Sequence, residues 1–317
     1  MKGLKNLGST CFISSILQIL FNLEELRQAL IEEEGKTSDF KTLLQHYHDQ
    51  NELGVSVDAL KQFILSTKLF FGEQGDQHEF FSGLLNIIHE GHYRKIDVSI
   101  PDVLEPIMKK ALTAFHLTGM TIDSDMNLND KPYGYVSPIT AIFTGQLLAS
   151  TVCLCGAVSD NFEIFRTVEV PLNAKASTLE DCLANFTDLE HIEEFSCNAC
   201  QKYQNAVRRF SFWKLPTVLS FTLKRYNHLL QKNNVILKAP DILDLSPYLN
   251  RSTEAANYEL VAVAHHAGHP SFGHCFSTVK KTDNTWRILN DEHVTILPTR
   301  VDSATDYMYF YKRIVKE

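Results

Sequence analysis

The order of apolar and polar residues divides the chain into a front part that favours helices and a back part that favours strands. In the front part, apolar residues recur at spacings of three and four, the period of a helix with one buried face. The pattern is clearest directly after Cys11, where it places Ile13, Ile16, Leu17, Leu20 and Phe21 on one face. It also predicts helices over residues 40–47, 57–65 and 103–115, and one bearing Phe81, Leu84, Leu85 and Ile88 that begins near Asp76 and Glu79.

From about residue 140 the pattern changes to short segments that are rich in aromatic and β-branched residues and separated by turns. These segments predict strands over residues 168–172, 218–223, 258–264, 276–279, 286–289 and 307–311. Residues 123–135 are polar and rich in turn formers, which predicts an exposed loop. A helical front packed on a strand-rich back is an α+β fold. A site that draws residues from both parts would lie at their junction.

Composition narrows the class of protein. The chain has 317 residues, 44% of them hydrophobic and 21% charged, as expected of a globular enzyme. A net charge of −8 and the lack of a basic run argue against nucleic acid as a partner. No apolar run reaches the roughly 20 residues that cross a bilayer, so no membrane association is expected. Seven cysteines, an odd number that includes two close pairs, indicate thiols and metal ligands in a reducing compartment, cytoplasmic or nuclear.

Cys11 is the candidate nucleophile. It lies where a loop becomes the first turn of the predicted helix, and the unpaired N–H groups at a helix start favour a thiolate over a thiol. Asn6 offers a side-chain amide near the same loop. The alternative is that Cys11 is a small core residue, as most cysteines of intracellular proteins are.

A cysteine nucleophile needs a base, and the base needs a third group to orient it. His274 is the best candidate, with His265, His266 and His269 as competitors on the same segment. If the strands over residues 273–279 and 286–289 pair as a hairpin, Asn290 and Asp291 come close to His274 and either could accept its N–H. The alternative is that Asn290-Asp291 is an ordinary turn pair.

Four segments, in order, resemble the motifs of ubiquitin-specific proteases. They are Gly3 to Phe12 with Ser15, Leu17 and Gln18; Gln74 to Phe80; Leu223 to Tyr226; and Gly273 to Lys280 followed by Trp286 to Asp291. The similarity runs from residue 3 to about residue 312. It implies a single catalytic domain over 1–317 with the papain-like fold of thumb, palm and fingers. The thumb would be the mainly helical 1–115, the fingers with part of the palm 140–235, and the rest of the palm 236–317.

The resemblance also implies an activity and roles for residues. A thiol-dependent deubiquitinase hydrolyses the isopeptide or thioester bond at the C-terminal glycine of ubiquitin. Cys11 would be the nucleophile, His274 the base, Asn290 its orienting partner, Asp291 an assisting acid, and Asn6 a donor to the oxyanion. Gln74 and Asp76 would hold the extended ubiquitin tail, and a narrow channel would exclude side chains larger than that of glycine.

The chain departs from the family pattern at several positions. Ser9 replaces an Asn outside the catalytic set, and Cys275 and Thr278 replace tyrosines, which we expect to loosen the channel wall. The segments over residues 8–18 and 223–230 resemble the histone deubiquitinase of the SAGA coactivator. The sequence begins at the catalytic domain, which is consistent with a fragment, a reduced relative or a different branch.

Two cysteine pairs form a candidate metal site. Cys197 and Cys200 have C-x-x-C spacing, and Cys153 and Cys155 have the tighter C-x-C spacing. Two pairs of thiolates resemble a structural zinc ribbon, and the family often carries zinc there. The alternative is a degenerate ribbon whose cysteines are buried without metal. Cys182 is predicted to be a helix core residue.

Three functions therefore stay open. The first is an active deubiquitinase whose partners are ubiquitin and ubiquitinated proteins, histones among them, with activating complex subunits. The second is a catalytically silent ubiquitin-binding scaffold, and the third is a protease for another ubiquitin-like modifier. The presence of Asn6, Cys11, His274 and Asn290 together favours the first.

Overall fold

The computed structural model describes residues 2–32, 38–49, 55–98, 100–117, 133–172, 176–251, 256–269 and 272–315. The helices are α1 (Cys11–Phe21), α2 (Glu24–Glu32), α3 (Asp39–His48), α4 (Val57–Thr67), α5 (Gln77–His92), α6 (Pro106–Leu117), α7 (Pro138–Phe143) and α8 (Leu179–Phe186). The strands are β1 (Arg94–Asp97), β2 (Tyr133–Val136), β3 (Gly145–Cys153), β4 (Val158–Phe165), β5 (Val168–Pro171), β6 (Glu190–Cys197), β7 (Lys202–Lys214), β8 (Val218–Lys224), β9 (Ile242–Asp244), β10 (Asn257–His269), β11 (Phe272–Lys280), β12 (Trp286–Asn290), β13 (His293–Leu297) and β14 (Asp306–Arg313).

Each helix predicted for the front of the chain is confirmed, and side-chain caps explain several starts. Ser38 and Ser56 accept hydrogen bonds from backbone N–H groups three residues later, at the starts of α3 and α4. Asp76 does the same for α5 through the N–H groups of His78 and Glu79. α6 begins at Pro106, a residue whose fixed φ suits the first helical position.

The central sheet has the strand order β13-β12-β11-β10-β14-β8-β5, with β9 paired to β10 as its eighth strand. β5 pairs in parallel with β8, and the other pairs are antiparallel. Neighbouring residues of β14 pack into two different hydrophobic cores, one on each face of the sheet. Met308 and Phe310 pack with α1 and α5, whereas Tyr309 and Tyr311 pack on the opposite face. β14 and its neighbour β8 are therefore covered on both faces, and most of their residues are buried.

All six predicted strands are found in this central sheet, and the predicted hairpin is confirmed by the antiparallel pairing of β11 with β12. The mixture of helices with mainly antiparallel sheets confirms the α+β class. The division of 1–317 into thumb, fingers and palm at the predicted boundaries stays a prediction. None of the described helices is long and apolar enough to cross a membrane.

A second sheet has four strands in the order β4-β3-β7-β6, and the sequence analysis did not predict it. Each outer strand is exposed or half-buried on all residues but one, so its pattern lacks the apolar run of a buried strand. The turns between β3 and β4 and between β6 and β7 carry the four cysteines of the candidate metal site.

The loop predicted over residues 123–135 needs a partial correction. Most of that segment lies outside the described residues, but its end is a strand. β2 pairs antiparallel with β1, with Tyr135 opposite Lys95 and Gly134 opposite Ile96. Pairing with a strand that is distant in sequence determines this conformation. The local composition of turn-forming residues gives no sign of such a partner.

Candidate active site

Cys11 is the first residue of α1 and is 4% exposed. α1 packs against β11, which places the thiol beside Cys275 and His274. The pKa of Cys11 is lowered to about 6, first by a hydrogen bond from the Cys275 side chain and then by the Cys275 backbone and the His274 charge. Burial and the charge of Asp291 oppose this shift. Cys11 is therefore a thiolate at neutral pH, the reactive form of the side chain.

His274, on β11, lies between Cys11 and the end of β12. Its Nε2 is 2.6 Å from Oδ1 of Asn290. Burial by itself would lower the pKa of His274, but the hydrogen bond to Asn290 and the charge of Cys11 outweigh it, and the pKa lies above its ordinary value. An imidazolium next to a thiolate is the ion pair that a cysteine nucleophile needs.

The other three histidines have different surroundings. His265 is buried beside Asp306, with its Nδ1 3.0 Å from a carboxylate oxygen. His266 hydrogen-bonds the hydroxyl of Tyr226 through Nδ1, and His269 stacks on the exposed Phe272. Only His274 among the four candidates meets both Cys11 and Asn290 in the described part of the chain.

Asn6 and Asp291 form a second polar pair at the same junction. Asn6 Nδ2 donates to Oδ2 of Asp291 over 3.2 Å. The other end of the amide is fixed by the loop, since Asn6 Oδ1 accepts from the backbone N–H groups of Gly8 and Thr10. The orientation of the Asn6 amide is thus fixed at both ends, and its predicted role as a donor to the oxyanion stays a prediction.

Gln74 and Asp76 lie just before α5. Gln74 Oε1 accepts the backbone N–H of Gly273 over 2.9 Å, which ties this loop to the histidine strand. Gln74 Nε2 is buried, and no hydrogen-bond partner for it lies within the described residues. Asp76 caps α5 with Oδ1 and accepts the Tyr307 hydroxyl with Oδ2 over 2.6 Å. The structure thus gives Asp76 a role in the fold, and its predicted substrate contact stays a prediction.

The sequence analysis missed the role of Cys275, which it assigned only to the channel wall. Cys275 is 2% exposed, and both its side chain and its backbone hydrogen-bond Cys11. This contact, together with burial, raises the pKa of Cys275 far above its ordinary value, so it remains a thiol that can donate to the Cys11 thiolate. The only sequence signal was its position next to His274.

The four cysteines of the β4-β3-β7-β6 sheet and its turns converge despite the tight C-x-C spacing. The sulfur atoms of Cys153, Cys155, Cys197 and Cys200, here called the four-cysteine cluster, all lie within 4.8 Å of one another. The Sγ atoms of Cys155 and Cys197 are 3.8 Å apart. Tetrahedral coordination with metal–sulfur bonds of about 2.3 Å places the sulfurs about 3.8 Å apart, so the cluster fits a zinc ion.

The surroundings of the cluster also suit a metal. Backbone N–H groups of Cys200 and Ala199 hydrogen-bond the Cys197 sulfur and lower the pKa of Cys197 to about 6. Gln204 Nε2 donates to the sulfurs of Cys153 and Cys200, over 2.8 and 3.1 Å. Such donors stabilise thiolates and orient metal ligands. Cys182 is buried in α8, apart from the cluster, as predicted.

Comparison with known proteins finds relatives that match nearly the whole chain. The chain is similar to the ubiquitin carboxyl-terminal hydrolase nonstop of Drosophila melanogaster, with 28% identity over 100% of this chain and 68% of that protein. It is also similar to ubiquitin carboxyl-terminal hydrolase 3 of Homo sapiens, with 28% identity over 98% of this chain and 67% of that protein.

Solved structures show the same fold. A SAGA DUB module of Ubp8, Sgf11, Sus1 and Sgf73 bound to monoubiquitin matches with a TM-score of 0.76 and 22% identity, over 100% of this chain and 70% of that chain. The same module bound to ubiquitin aldehyde matches with a TM-score of 0.75 and 21% identity, over the same shares. The arrangement of the helices, the central sheet and the four-stranded sheet is therefore the papain-like ubiquitin-protease fold.

The family model described as ubiquitin carboxyl-terminal hydrolase matches residues 2–311, almost the whole chain. That match spans the loop before Cys11, the strand of His274 and the turn of Asn290. The chain belongs to the ubiquitin carboxyl-terminal hydrolase family and is a deubiquitinating cysteine protease.

Proposed function

We propose that the chain cleaves the isopeptide or thioester bond at the C-terminal glycine of ubiquitin with Cys11, His274 and Asn290 as its catalytic triad. The observation that carries this proposal is the alignment of the three side chains. The Cys11 thiolate lies beside His274, and Nε2 of His274 is 2.6 Å from Oδ1 of Asn290. A nucleophile, a base and a group that orients the base are the minimum for this chemistry.

In the acylation step the Cys11 thiolate attacks the glycine carbonyl carbon, and the negative charge moves to the carbonyl oxygen. The NH₂ group of Asn6 stabilises that oxyanion, and Asp291 holds the Asn6 amide in place. His274, protonated in the resting ion pair, gives its proton to the departing amine or thiol. Cys11 is then joined to ubiquitin as a thioester.

In the deacylation step neutral His274 takes a proton from water, and the resulting hydroxide attacks the thioester carbonyl. The carboxylate of ubiquitin leaves, and the Cys11 thiolate and the His274 imidazolium are restored. Asn290 keeps the imidazole in one orientation through both proton transfers. The carboxylic acid formed at the ubiquitin C-terminus ionises, and its proton is taken up by the released lysine amine or by the solvent.

Gln74 is assigned to substrate binding. Its buried Nε2 donor, without a partner in the described residues, would pair with a backbone carbonyl of the ubiquitin tail. Asp76 contributes negative charge near the arginines of the tail, a contact secondary to its bonds to α5 and Tyr307. We also propose, from the family resemblance, that a channel between the helical and strand-rich parts excludes side chains larger than that of glycine.

The proposal includes a structural zinc ion on the four-cysteine cluster. It would link the β3–β4 turn to the β6–β7 turn and supplies no step of the hydrolysis. Ubiquitinated histones as substrates are supported by the resemblance of residues 8–18 and 223–230 to the SAGA-type enzyme. Complex subunits as partners are supported by the similarity to the SAGA DUB module, in which Ubp8 is solved together with Sgf11, Sus1 and Sgf73. The reduced thiols suit the cytoplasm or the nucleus as its location.

The test is hydrolysis of a ubiquitin C-terminal fluorogenic amide by the wild type, Cys11→Ala and a matched control, Cys182→Ala. Cys182 is also buried but lies in α8. We expect turnover by the wild type and the control and none by Cys11→Ala. Turnover of a ubiquitin-like modifier instead would assign another substrate, and tight ubiquitin binding without turnover would assign a scaffold.

A further inference from the structure

We propose that Gln18 is a positioning residue, which holds the turn between β12 and β13 in a fixed place relative to the helix that begins with Cys11. This inference rests on the proposed function, because the turn carries Asn290 and Asp291. Its evidence is a set of hydrogen bonds between segments that are distant in sequence.

Gln18 lies two turns after Cys11 in α1 and is fully buried. Its Nε2 donates to the backbone carbonyl of Asp291 over 2.8 Å, and the backbone N–H of Leu4 donates to the same carbonyl over 2.9 Å. Both donors converge on one oxygen, so the turn is attached to α1 and to the N-terminal segment at a single point.

The side-chain oxygen of Gln18 shows that packing alone does not explain why an amide occupies this position. Gln18 Oε1 is buried and has no hydrogen-bond partner within the described residues. Leaving a buried acceptor unpaired costs free energy that an apolar side chain of the same size would avoid. The hydrogen bond from Nε2 to the carbonyl of Asp291 therefore accounts for the presence of an amide here.

The turn itself needs such support. Asp291 has φ of +51°, in the left-handed region that residues other than glycine adopt at a cost. Gly3 lies against the following peptide so closely that a Cβ on it would be 2.4 Å from the carbonyl carbon of Glu292. The turn is thus held by Gln18 on one side and confined by the N-terminal segment on the other.

Two functional contacts depend on this turn. Asn290 orients His274, and Asp291 holds the NH₂ group of Asn6. A displacement of about 1 Å in a catalytic group can lower a rate on the order of a hundredfold. Release of the turn is therefore expected to lower kcat and leave KM nearly unchanged, because the residues assigned to the ubiquitin tail lie before α5.

The first experiment compares Gln18→Met with Gln77→Met. Gln77 is a matched control, since it is 1% exposed and its Nε2 donates to Ser15 on α1, with no bond to the turn. We expect kcat for the ubiquitin amide to fall on the order of ten- to a hundredfold in Gln18→Met. The control should lose a similar amount of stability without that loss of kcat. Equal losses of kcat in both variants would overturn the inference.

A double-mutant cycle separates positioning from a general effect on the fold. In an Asn290→Ala, Asp291→Ala background the turn no longer carries the two side chains. We therefore expect Gln18→Met to lower single-turnover rates less than threefold there. If Gln18→Met still lowered the single-turnover rate by its full factor in that background, Gln18 would not act through the turn.

A third readout does not need ubiquitin. The rate of Cys11 alkylation by iodoacetamide is followed against pH, and its midpoint should move upward in Gln18→Met and stay in place in Gln77→Met. Should Gln18→Met not fold, Gly3→Ala displaces the same turn from its other side and is expected to give the same shift. An unchanged midpoint in the folded variants overturns the inference. A shifted midpoint in a protein that does not cleave ubiquitin would instead overturn the proposed function alone.

Discussion

The molecule contains two sites built on cysteine sulfur, and they are assembled in opposite ways. The four-cysteine cluster comes from two turns of one sheet, each with its own pair of cysteines. The catalytic junction draws single residues from the start of α1, from β11 and from the turn after β12. The first site is encoded in local spacing, and the second exists only when α1 packs against the sheet.

The two sites also treat the thiol differently. At the junction, a neighbouring thiol and an imidazolium lower the pKa of Cys11 to about 6, so that one sulfur is reactive. In the cluster, backbone and Gln204 donors surround several sulfurs at once, which suits coordination. The spacing of the cysteines in the sequence was enough to predict the cluster. The reactivity of Cys11, by contrast, depends on the groups that the fold places around its sulfur.

Replacing His274 should have the largest effect. Without the base, His274→Ala is expected to lower kcat/KM for the ubiquitin amide by about 10⁴-fold or more. Bound zinc, measured by elemental analysis, should be unchanged, because the four-cysteine cluster shares no residue with the junction. As a control, His269→Ala removes a histidine of the same segment whose ring stacks on the exposed Phe272.

Cys197→Ser should break the other site. We expect bound zinc to be lost and the free energy of unfolding to fall by about 4 kcal/mol, because metal loss is among the largest single-residue effects. Elemental analysis and thermal unfolding measure the two. The midpoint of Cys11 alkylation should not move. Full zinc content in this variant would show that the cluster holds no metal through Cys197.

Asn6→Ala tests the oxyanion donor. Removing one such donor is expected to lower kcat on the order of a hundredfold, with little change in KM, because the contact strengthens in the transition state. Asn22→Ala is a control amide on the far end of α1, and it should keep kcat close to that of the wild type. A larger change in KM than in kcat would assign Asn6 to substrate binding instead.

The pH dependence of the thiols should differ between regions. Because its pKa is lowered to about 6, Cys11 should alkylate at half its maximal rate near pH 6, well below the ordinary thiol value of about 8.5. Burial raises the pKa of Cys182 to about 11, so Cys182 should stay unreactive at neutral pH. Mass spectrometry of the alkylated peptides measures the extent of alkylation of both cysteines. A midpoint above pH 8 for Cys11 would contradict the ion pair with His274.

Gly156→Ala should have the smallest effect. Gly156 has φ of +87° in the β3–β4 turn, and a Cβ there would meet nothing within 4 Å. The cost is therefore backbone strain alone, about 1 kcal/mol. Thermal unfolding should show a small decrease, while hydrolysis of the ubiquitin amide stays unchanged. A loss of activity would mean that the geometry of this turn reaches the catalytic junction.

Much of the fold could be predicted from the sequence, and the missed strands have more than one cause. Buried strands such as β8 and β14 were found because both their faces are apolar. The strands β4 and β6 were missed because nearly all of their residues are exposed or half-buried, so they lack such a pattern. β2 was predicted as part of a loop because its partner, β1, is distant in sequence. The residues of the candidate site were predicted almost entirely from four family motifs that follow one another in order along the chain. The periodicity of helices and strands alone does not point to these residues.

The sequence by itself determined where α1 begins, that Cys11 is its first residue, and that two cysteine pairs are spaced for a metal. These features depend on helix periodicity and on short spacings, which act within a few residues. The tertiary structure alone decided that Cys275 lies against Cys11, that Asp76 bonds Tyr307, and that Gln18 holds the carbonyl of Asp291. Such contacts join residues separated by most of the chain, so their geometry is set by sheet register and by the packing of α1 on β11, which no local pattern specifies.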